Sequence, residues 1–209
     1  MSMIDAAVVG YGYSGRALHS YLISLEPGIR LYAISTRDPE RQRQAAHDYP
    51  EAMIYGGINE LLTDERVDLV VLATPHHTHH ELAIQAMEAG KHVVTDKVMC
   101  MNAHQAEEMI AASVRNQVLL SVFQNRRWDW GYMTVQHMIK EGLLGTPYYF
   151  RAGILNYRPP GGWRGVKVQS GGILYDWPAH FVDQALQLVD APVISVYCDI
   201  KYRDHWNTD

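Results

Sequence analysis

The sequence is poor in cysteine: Cys100 and Cys198 are the only two in 209 residues. Two thiols are too few for a disulfide framework or a cysteine metal site, so a reducing, cytoplasmic compartment is expected. Long apolar runs are missing as well. No stretch approaches the roughly 18 uninterrupted apolar residues of a membrane span. The opening MSMIDAAVVGYGYSG has neither the basic start nor the apolar run of a secretory signal. Nor is there an excess of positive charge: 18 Lys and Arg stand against 23 Asp and Glu, a formal net charge of -5. Both signs are interspersed, so no basic face for nucleic acid or anionic lipid is expected, and neither partner is. Internal repeats and low-complexity segments are absent. What remains is the composition of an ordinary soluble globular protein, 47% hydrophobic and 20% charged, large enough to bury a core in one or two domains.

Over the first 120 or so residues, short β-branched runs alternate with helical spacing. AAVVG (6–10), LYAIST (31–36), LVVLAT (69–74), HVVT (92–95) and VLLSVF (118–123) read as strands. Between two of them, ELAIQAMEAGK places Leu82, Ala83, Ala86 and Met87 on one helix face and closes at Gly90. Strand and helix in alternation predict an α/β domain, a doubly wound parallel sheet, over residues 1–123. After Phe123 the pattern changes. An amphipathic stretch at 133–144 ends at Gly145, Thr146 and Pro147; then come a strand-like YYFRAGIL (148–155), a Pro/Gly-rich loop (158–172), a helix at about 177–189 and a strand-like VISVYCDIKY (193–202). These predict a second, α+β domain with an open sheet over 124–209.

GYGYSG (10–15) has the G-x-G-x-x-G spacing directly after the first strand and at the start of the first helix. Gly10 permits the tight turn, Gly12 a close approach of pyrophosphate to backbone, and Gly15 close packing, while the helix N-terminus faces the phosphates. Tyr11, Tyr13 and Ser14, the positions between them, count among the candidate cofactor contacts. An NAD site carries an acid about 20 residues further on for the ribose hydroxyls. Here the second strand ends in Ser35, Thr36 and Arg37, hydroxyls and a guanidinium suited to a 2′-phosphate, so NADP is expected ahead of NAD. The alternative is that Asp38 takes the acid's place, or that Arg37 is a solvated loop charge.

Other residues stand out with two readings each. GGILYDWPAH sets Asp176 and His180 four apart, on roughly one helix face if the chain turns helical at Trp177 or Pro178. Asp, Trp and Pro are equally ordinary helix-start residues. HHTHH (76–80) has the look of metal-ligand material, but no acid or cysteine cluster accompanies it, and no metal is expected. NRRWD (125–129) could be a surface arginine pair, and Trp163 with Arg164 a packed loop.

VVGYGYSG, LATPHHTHHELAIQAMEAGKHVVTDK, QNRRWD and GGILYDWPAHFVDQAL, in this order and spacing, resemble the Gfo/Idh/MocA oxidoreductases, the group of glucose-fructose oxidoreductase and inositol dehydrogenases. The resemblance runs from end to end of the chain and implies a Rossmann domain followed by an α/β domain whose open sheet often mediates homo-oligomers. The STR and NRRWD segments look most like the NADP-preferring inositol dehydrogenase-like branch. The family's E-K-P corresponds to Asp96, Lys97 and Val98. The lysine, by resemblance, lies beside nicotinamide and substrate; with valine in place of proline, a cis bond is not expected. G-G-x-x-x-D-x-G-x-H corresponds to Gly171, Gly172, Asp176 and His180, with Pro178 in the usual glycine's place. T-P-x-x-x-H corresponds to Thr74, Pro75 and His79, and His76 replaces a frequent asparagine; these are expected to line the cofactor. By the same resemblance Asn125 and Arg126 edge the nicotinamide, Arg127 the substrate, and Trp163 with Arg164 the cofactor.

The implied chemistry is hydride transfer between nicotinamide and a small polyol, sugar or related carbonyl compound. A base must take the hydroxyl proton as hydride leaves carbon, a role that falls to His180. Asp176 binds substrate hydroxyls and biases the histidine's charge, and Lys97 stabilises the developing alkoxide. Two alternatives stay open: a non-catalytic NADP-binding sensor or scaffold, and an enzyme that uses NAD transiently to cleave glycosides. Family members are usually much longer, so the chain is expected to be a piece of a longer protein.

Overall fold

The structure, a computed structural model, describes residues 3–155, 159–201 and 207–208. Two compact units divide it, Met1–Phe123 and Gln124–Asp209. Arg158 and Tyr202, at the edges of the expected loop and last expected strand, lie outside the described residues.

The first unit is built on six strands: β1 Ile4–Val9, β2 Ile29–Ser35, β3 Met53–Tyr55, β4 Leu69–Leu72, β5 His92–Asp96 and β6 Leu120–Phe123. They pair in parallel in the order β3-β2-β1-β4-β5-β6. Ala6, Ala7 and Val8 of β1 are fully buried, which is why that central strand reads as a continuous apolar run without alternation. On one face Ala7, Leu72, Ala83, Met87, Met109 and Ala112 form the larger core; on the other, Ala6, Val8, Ile23 and Val71 pack together. The strand order reverses between β1 and β4, and in such sheets ligands bind beyond the strand ends at that point.

The helices of this unit are α1 Tyr21–Leu25, α2 Pro39–Asp48, α3 Ile58–Leu62, α4 His79–Glu88 and α5 Ala103–Asn116. A π-helical turn, Gly15–Ser20, precedes α1. Among the described residues no helix is long and apolar enough to cross a membrane.

One strand, β3, is absent from the sequence reading. Its three residues give no measurable alternation, and it is placed by tertiary contacts. Tyr55 on β3 and Tyr32 on β2 donate their hydroxyls to the same Asp64 oxygen, at 2.7 and 2.6 Å, and Arg66 N donates to the other at 2.9 Å. The two phenols, then this backbone bond, hold the Asp64 carboxyl down at about 2. A carboxylate favoured by folding adds stability above its ordinary range near pH 4 and loses it as pH falls through the folded value. The urea midpoint of the wild-type chain should therefore fall between pH 4 and 2 more steeply than that of Asp64→Asn, and parallel slopes would remove Asp64 from that role.

The second unit contains α6 Trp130–Lys140, the short α7 Lys167–Ser170 and α8 Trp177–Leu188, with a 3₁₀ turn at Asn125–Trp128. Helix α6 begins three residues before the expected 133 and stops earlier, where Gly142 and Gly145 adopt positive φ. The open sheet expected of this unit is not seen among its described residues, which contain no strand. Segments 148–155 and 193–201 have strand-forming side chains, but a strand is completed by a neighbour's hydrogen bonds, and among the described residues neither has a ladder partner. Their large side chains stand in the open: Tyr148 is 97% exposed, Leu155 100% and Ile194 96%.

Candidate functional site

The glycines of 10–15 divide into two that fill space and one that leaves it. Gly10 has φ +95°, and a Cβ there would stand 2.5 Å from Ala73 O; a Cβ on Gly15 would stand 1.9 Å from Gly10 O. The end of β1, the first helical turn and the residue after β4 are thus in backbone contact. A Cβ on Gly12 meets only Arg41 Nη1, at 3.8 Å. That opening is where a pyrophosphate can approach, and the loop fits a dinucleotide on this ground.

Between these glycines the side chains diverge. Tyr11 is buried and donates its hydroxyl to Asp48 Oδ2 at 2.9 Å; burial and that carboxylate push its phenol up. Its side chain anchors the loop to the end of α2. Arg16 joins the same carboxylate, 2.7 Å from Asp48 Oδ2. Tyr13 is exposed. Ser14 donates to Asp96 Oδ2.

A cavity of about 540 Å³ opens at the ends of β1, β2 and β4 and brings together Gly10, Ser35, Thr36, Arg37, Thr74 and Pro75. Asp38 also lines it, as the N-cap of α2: its Oδ1 accepts Glu40 N at 2.9 Å and Arg41 N at 3.4 Å, with Pro39 in the first helical turn. Arg41, which the sequence reading passed over, lies on the cavity wall as well, with its Nε 3.4 Å from Asp38 Oδ2. Its spacing of three from an Asp-Pro helix start was the available signal.

At the end of β5, Asp96 draws three segments together. Besides Ser14, its Oδ2 lies 3.5 Å from His19 Nε2, and Oδ1 accepts Lys97 N at 2.8 Å. Burial works against the charge, but the contacts from His19 and Ser14 outweigh it and hold the carboxyl down at about 2. The Lys97–Val98 peptide bond is cis, which corrects the expectation drawn from valine. A local contact, Lys97 N on Asp96 Oδ1, precedes it, and a tertiary one, Val98 O at 2.7 Å from His79 Nδ1, follows it.

His79 is fully buried, its other ring nitrogen 2.9 Å from Thr74 O. Burial lowers its pKa against the pull of both carbonyls, and a neutral ring carries a single N–H for the two of them. The structure thus makes His79 a staple between the ends of β4 and β5, behind the cavity wall. His76 is also buried, its ring centroid 6.0 Å from that of His79. His80 Nε2 turns to Glu108 Oε2, 2.9 Å away, on α5.

In the second unit, Gly171 and Gly172 both have positive φ, and a Cβ on Gly171 would fall 2.6 Å from the Tyr175 ring. The glycine pair is therefore required to reverse the chain into α8, which carries His180. That histidine is buried, and its ring meets Trp177 edge-on at 5.8 Å. It lines a cavity of about 550 Å³ with Arg126, Asp129, Tyr132, Trp177 and Gln184. Arg126 lies over the Trp177 ring at 4.6 Å. Asp176 is reached by Arg164, whose Nε is 3.4 Å from Oδ2 and whose guanidinium lies over Trp163 at 4.6 Å. Trp163, Arg164 and Asp176 are thus one group. Arg127 is engaged elsewhere: its Nε donates to Asp183 Oδ2 at 2.8 Å and its Nη2 to Oδ1, tying the Asn125–Trp128 turn to α8.

Known proteins resemble the chain over most of its length. The chain is 38% identical over 192 residues to YdgJ, an uncharacterised oxidoreductase of Escherichia coli K12, covering 91% of this chain and 55% of that protein. It is 34% identical over 191 residues to the scyllo-inositol 2-dehydrogenase (NADP(+)) IolW of Bacillus subtilis, covering 90% and 52%. The crystal structure of an NAD-binding protein from Listeria innocua superposes with a TM-score of 0.80 at 33% identity, covering 90% and 56%. The chain spans about half the length of these relatives. The model of the oxidoreductase family with an NAD-binding Rossmann fold matches residues 4–124 and that of the GFO/IDH/MocA C-terminal domain residues 132–209, so the chain belongs to the Gfo/Idh/MocA oxidoreductases.

Proposed function

We propose that the protein is an NADP(H)-dependent oxidoreductase that moves hydride between nicotinamide and a CH–OH carbon of a polyol, sugar or related carbonyl compound, with cyclic polyols foremost. The observation that carries this reading is the cavity at the ends of β1, β2 and β4. It combines the phosphate-loop backbone at Gly10 with the Arg37 guanidinium, while the one carboxylate at the end of β2, Asp38, serves as a helix cap. Such a lining favours a 2′-phosphate over a ribose diol. The name of the IolW relative, an inositol dehydrogenase that takes NADP(+), supports the same choice.

Residues 10–15, 35–37, Thr74 and Pro75 would hold the nucleotide, with Asp96 fixing Ser14 and Lys97 from behind. The bound cofactor supplies or accepts the hydride. For the protein's part, His180 takes the hydroxyl proton of the alcohol and returns it in the reverse direction. Asp176 orients substrate hydroxyls, with Arg164 and Trp163 holding its carboxylate in place. Lys97 stabilises negative charge on the reacting oxygen. The reading extends to a cytoplasmic homo-oligomer assembled through the second unit.

The test follows absorbance of the reduced nicotinamide with NADP, then NAD, over a panel of inositols and aldoses. Turnover that prefers NADP supports the reading. NADPH binding without turnover on any member would favour a sensor, and turnover without net cofactor consumption would favour glycoside cleavage.

A further inference from the structure

We propose that Arg41 sets the preference for a 2′-phosphorylated nucleotide, both by neutralising Asp38 and by presenting its guanidinium to the phosphate. This rests on reading the cavity at the ends of β1, β2 and β4 as the adenosine end of an NADP site. Alone, the segment after β2 is ambiguous. Arg37 favours a phosphate, yet Asp38 stands beside it, and a free carboxylate there would bind the ribose diol and repel a 2′-phosphate.

The geometry around α2 removes the ambiguity. Asp38 Oδ1 accepts two backbone N–H groups of the first helical turn, at 2.9 and 3.4 Å. Its Oδ2 lies 3.4 Å from Arg41 Nε. Both oxygens are thereby engaged, and the pair's net charge is zero. Arg41 reaches further: its Nη1 end lies 3.8 Å from the point where a Gly12 Cβ would stand, so the guanidinium extends from the cap of α2 to the phosphate loop. Side chain and loop flank one cavity.

The other charges nearby leave this assignment in place. Glu40 pairs with Arg43, away from Arg41. Glu81 is on the cavity wall supplied by α4, and Arg37 on the wall supplied by the β2 end. Removing Arg41 therefore has two effects of the same sign. It deletes a donor of charge-assisted hydrogen bonds, and it leaves the Asp38 charge facing the ligand uncompensated.

The second effect separates Arg41 from a merely basic surface residue, because it predicts a rescue. Asp38→Asn removes the exposed charge and keeps a good N-cap, so α2 stays formed. The experiment titrates the chain with 2′,5′-ADP and with 5′-ADP, probes that lack nicotinamide and so bind irrespective of turnover. Wild type is set beside Arg41→Ala, Arg37→Ala, Asp38→Asn and the Asp38→Asn/Arg41→Ala double variant, with thermal melts as a check on folding.

Arg41→Ala should weaken 2′,5′-ADP at least about tenfold more than 5′-ADP, and the double variant should recover part of that loss. Equal weakening of both probes would reduce Arg41 to a general phosphate contact and overturn the inference. So would an Arg41→Ala variant that keeps the wild-type preference while Arg37→Ala loses it, and so would a double variant with no recovery. A wild type that does not distinguish the two probes would instead overturn the NADP reading itself.

Discussion

Replacing His180 by alanine is expected to remove turnover, by about 100- to 10,000-fold in kcat, with the affinity for NADPH unchanged. The reason lies in what the residue can do that its neighbours cannot. It is buried on the cavity face of α8, with Trp177 edge-on to its ring and Arg126 over that tryptophan. Arginine cannot accept a proton and tryptophan has no basic site, so among these three the imidazole alone can act as a base. Because the ring is packed, His180→Gln belongs beside His180→Ala: it keeps bulk and hydrogen bonding but cannot cycle a proton near neutral pH. Both variants should be inactive and bind NADPH. Loss of binding in both, with lowered Tm, would make His180 a structural residue of α8. Restored activity in the glutamine variant would place the base elsewhere.

The second large effect is expected at Gly15. A methyl group there would stand 1.9 Å from Gly10 O and 3.0 Å from Gly10 C, backbone atoms rather than the end of a flexible side chain. Relief requires β1, the π-helical turn or the residue after β4 to move, at a cost of about 3 kcal/mol, which lowers Tm by roughly 10 °C for a chain of this size. Nucleotide binding should be lost with it. Gly12→Ala supplies the contrast, since its methyl meets only one side-chain nitrogen at 3.8 Å. That variant should melt like wild type and still bind NADPH poorly, because the group it obstructs is the pyrophosphate. Equal melting temperatures for the two variants would refute the distinction between the packing glycine and the ligand-facing one.

Five of the six strands were legible because each is long enough to show a β-branched run, and the glycine spacing was legible because it depends on local backbone geometry. Strand β3 was not, since three residues carry no period and its place is set by two tyrosines converging on Asp64. The site was readable in the same proportion. Gly171 and Gly172 could be singled out from the sequence as an adjacent glycine pair matching the G-G-x-x-x-D-x-G-x-H pattern, and both adopt the positive φ that glycine tolerates. The engagement of Arg127 with Asp183 could not, because 56 residues separate the partners. His79 shows the same limit: the T-P-x-x-x-H resemblance pointed it to the cofactor, but the two carbonyls that flank its buried ring, Val98 O and Thr74 O, could not be read from the sequence. Val98 argued locally against a cis bond, but the peptide's neighbours are held from β5 on one side and α4 on the other. The strands expected at 148–155 and 193–202 were argued from side chains, whereas a strand exists only with its neighbour, and none is seen among the described residues there.

Residues 36–41, where Thr36, Arg37, Asp38 and Arg41 all face one cavity, form a single uninterrupted stretch of chain. Nothing in that stretch contributes to the Lys97 turn, which is held by Asp96 and His79. On the function proposed above, choice of nucleotide and handling of the reacting oxygen are written in separate places, so that a few neighbouring substitutions in residues 36–41 would trade one coenzyme for another. Such a change would redirect the enzyme between the cell's biosynthetic and catabolic electron pools without rebuilding the chemistry it performs.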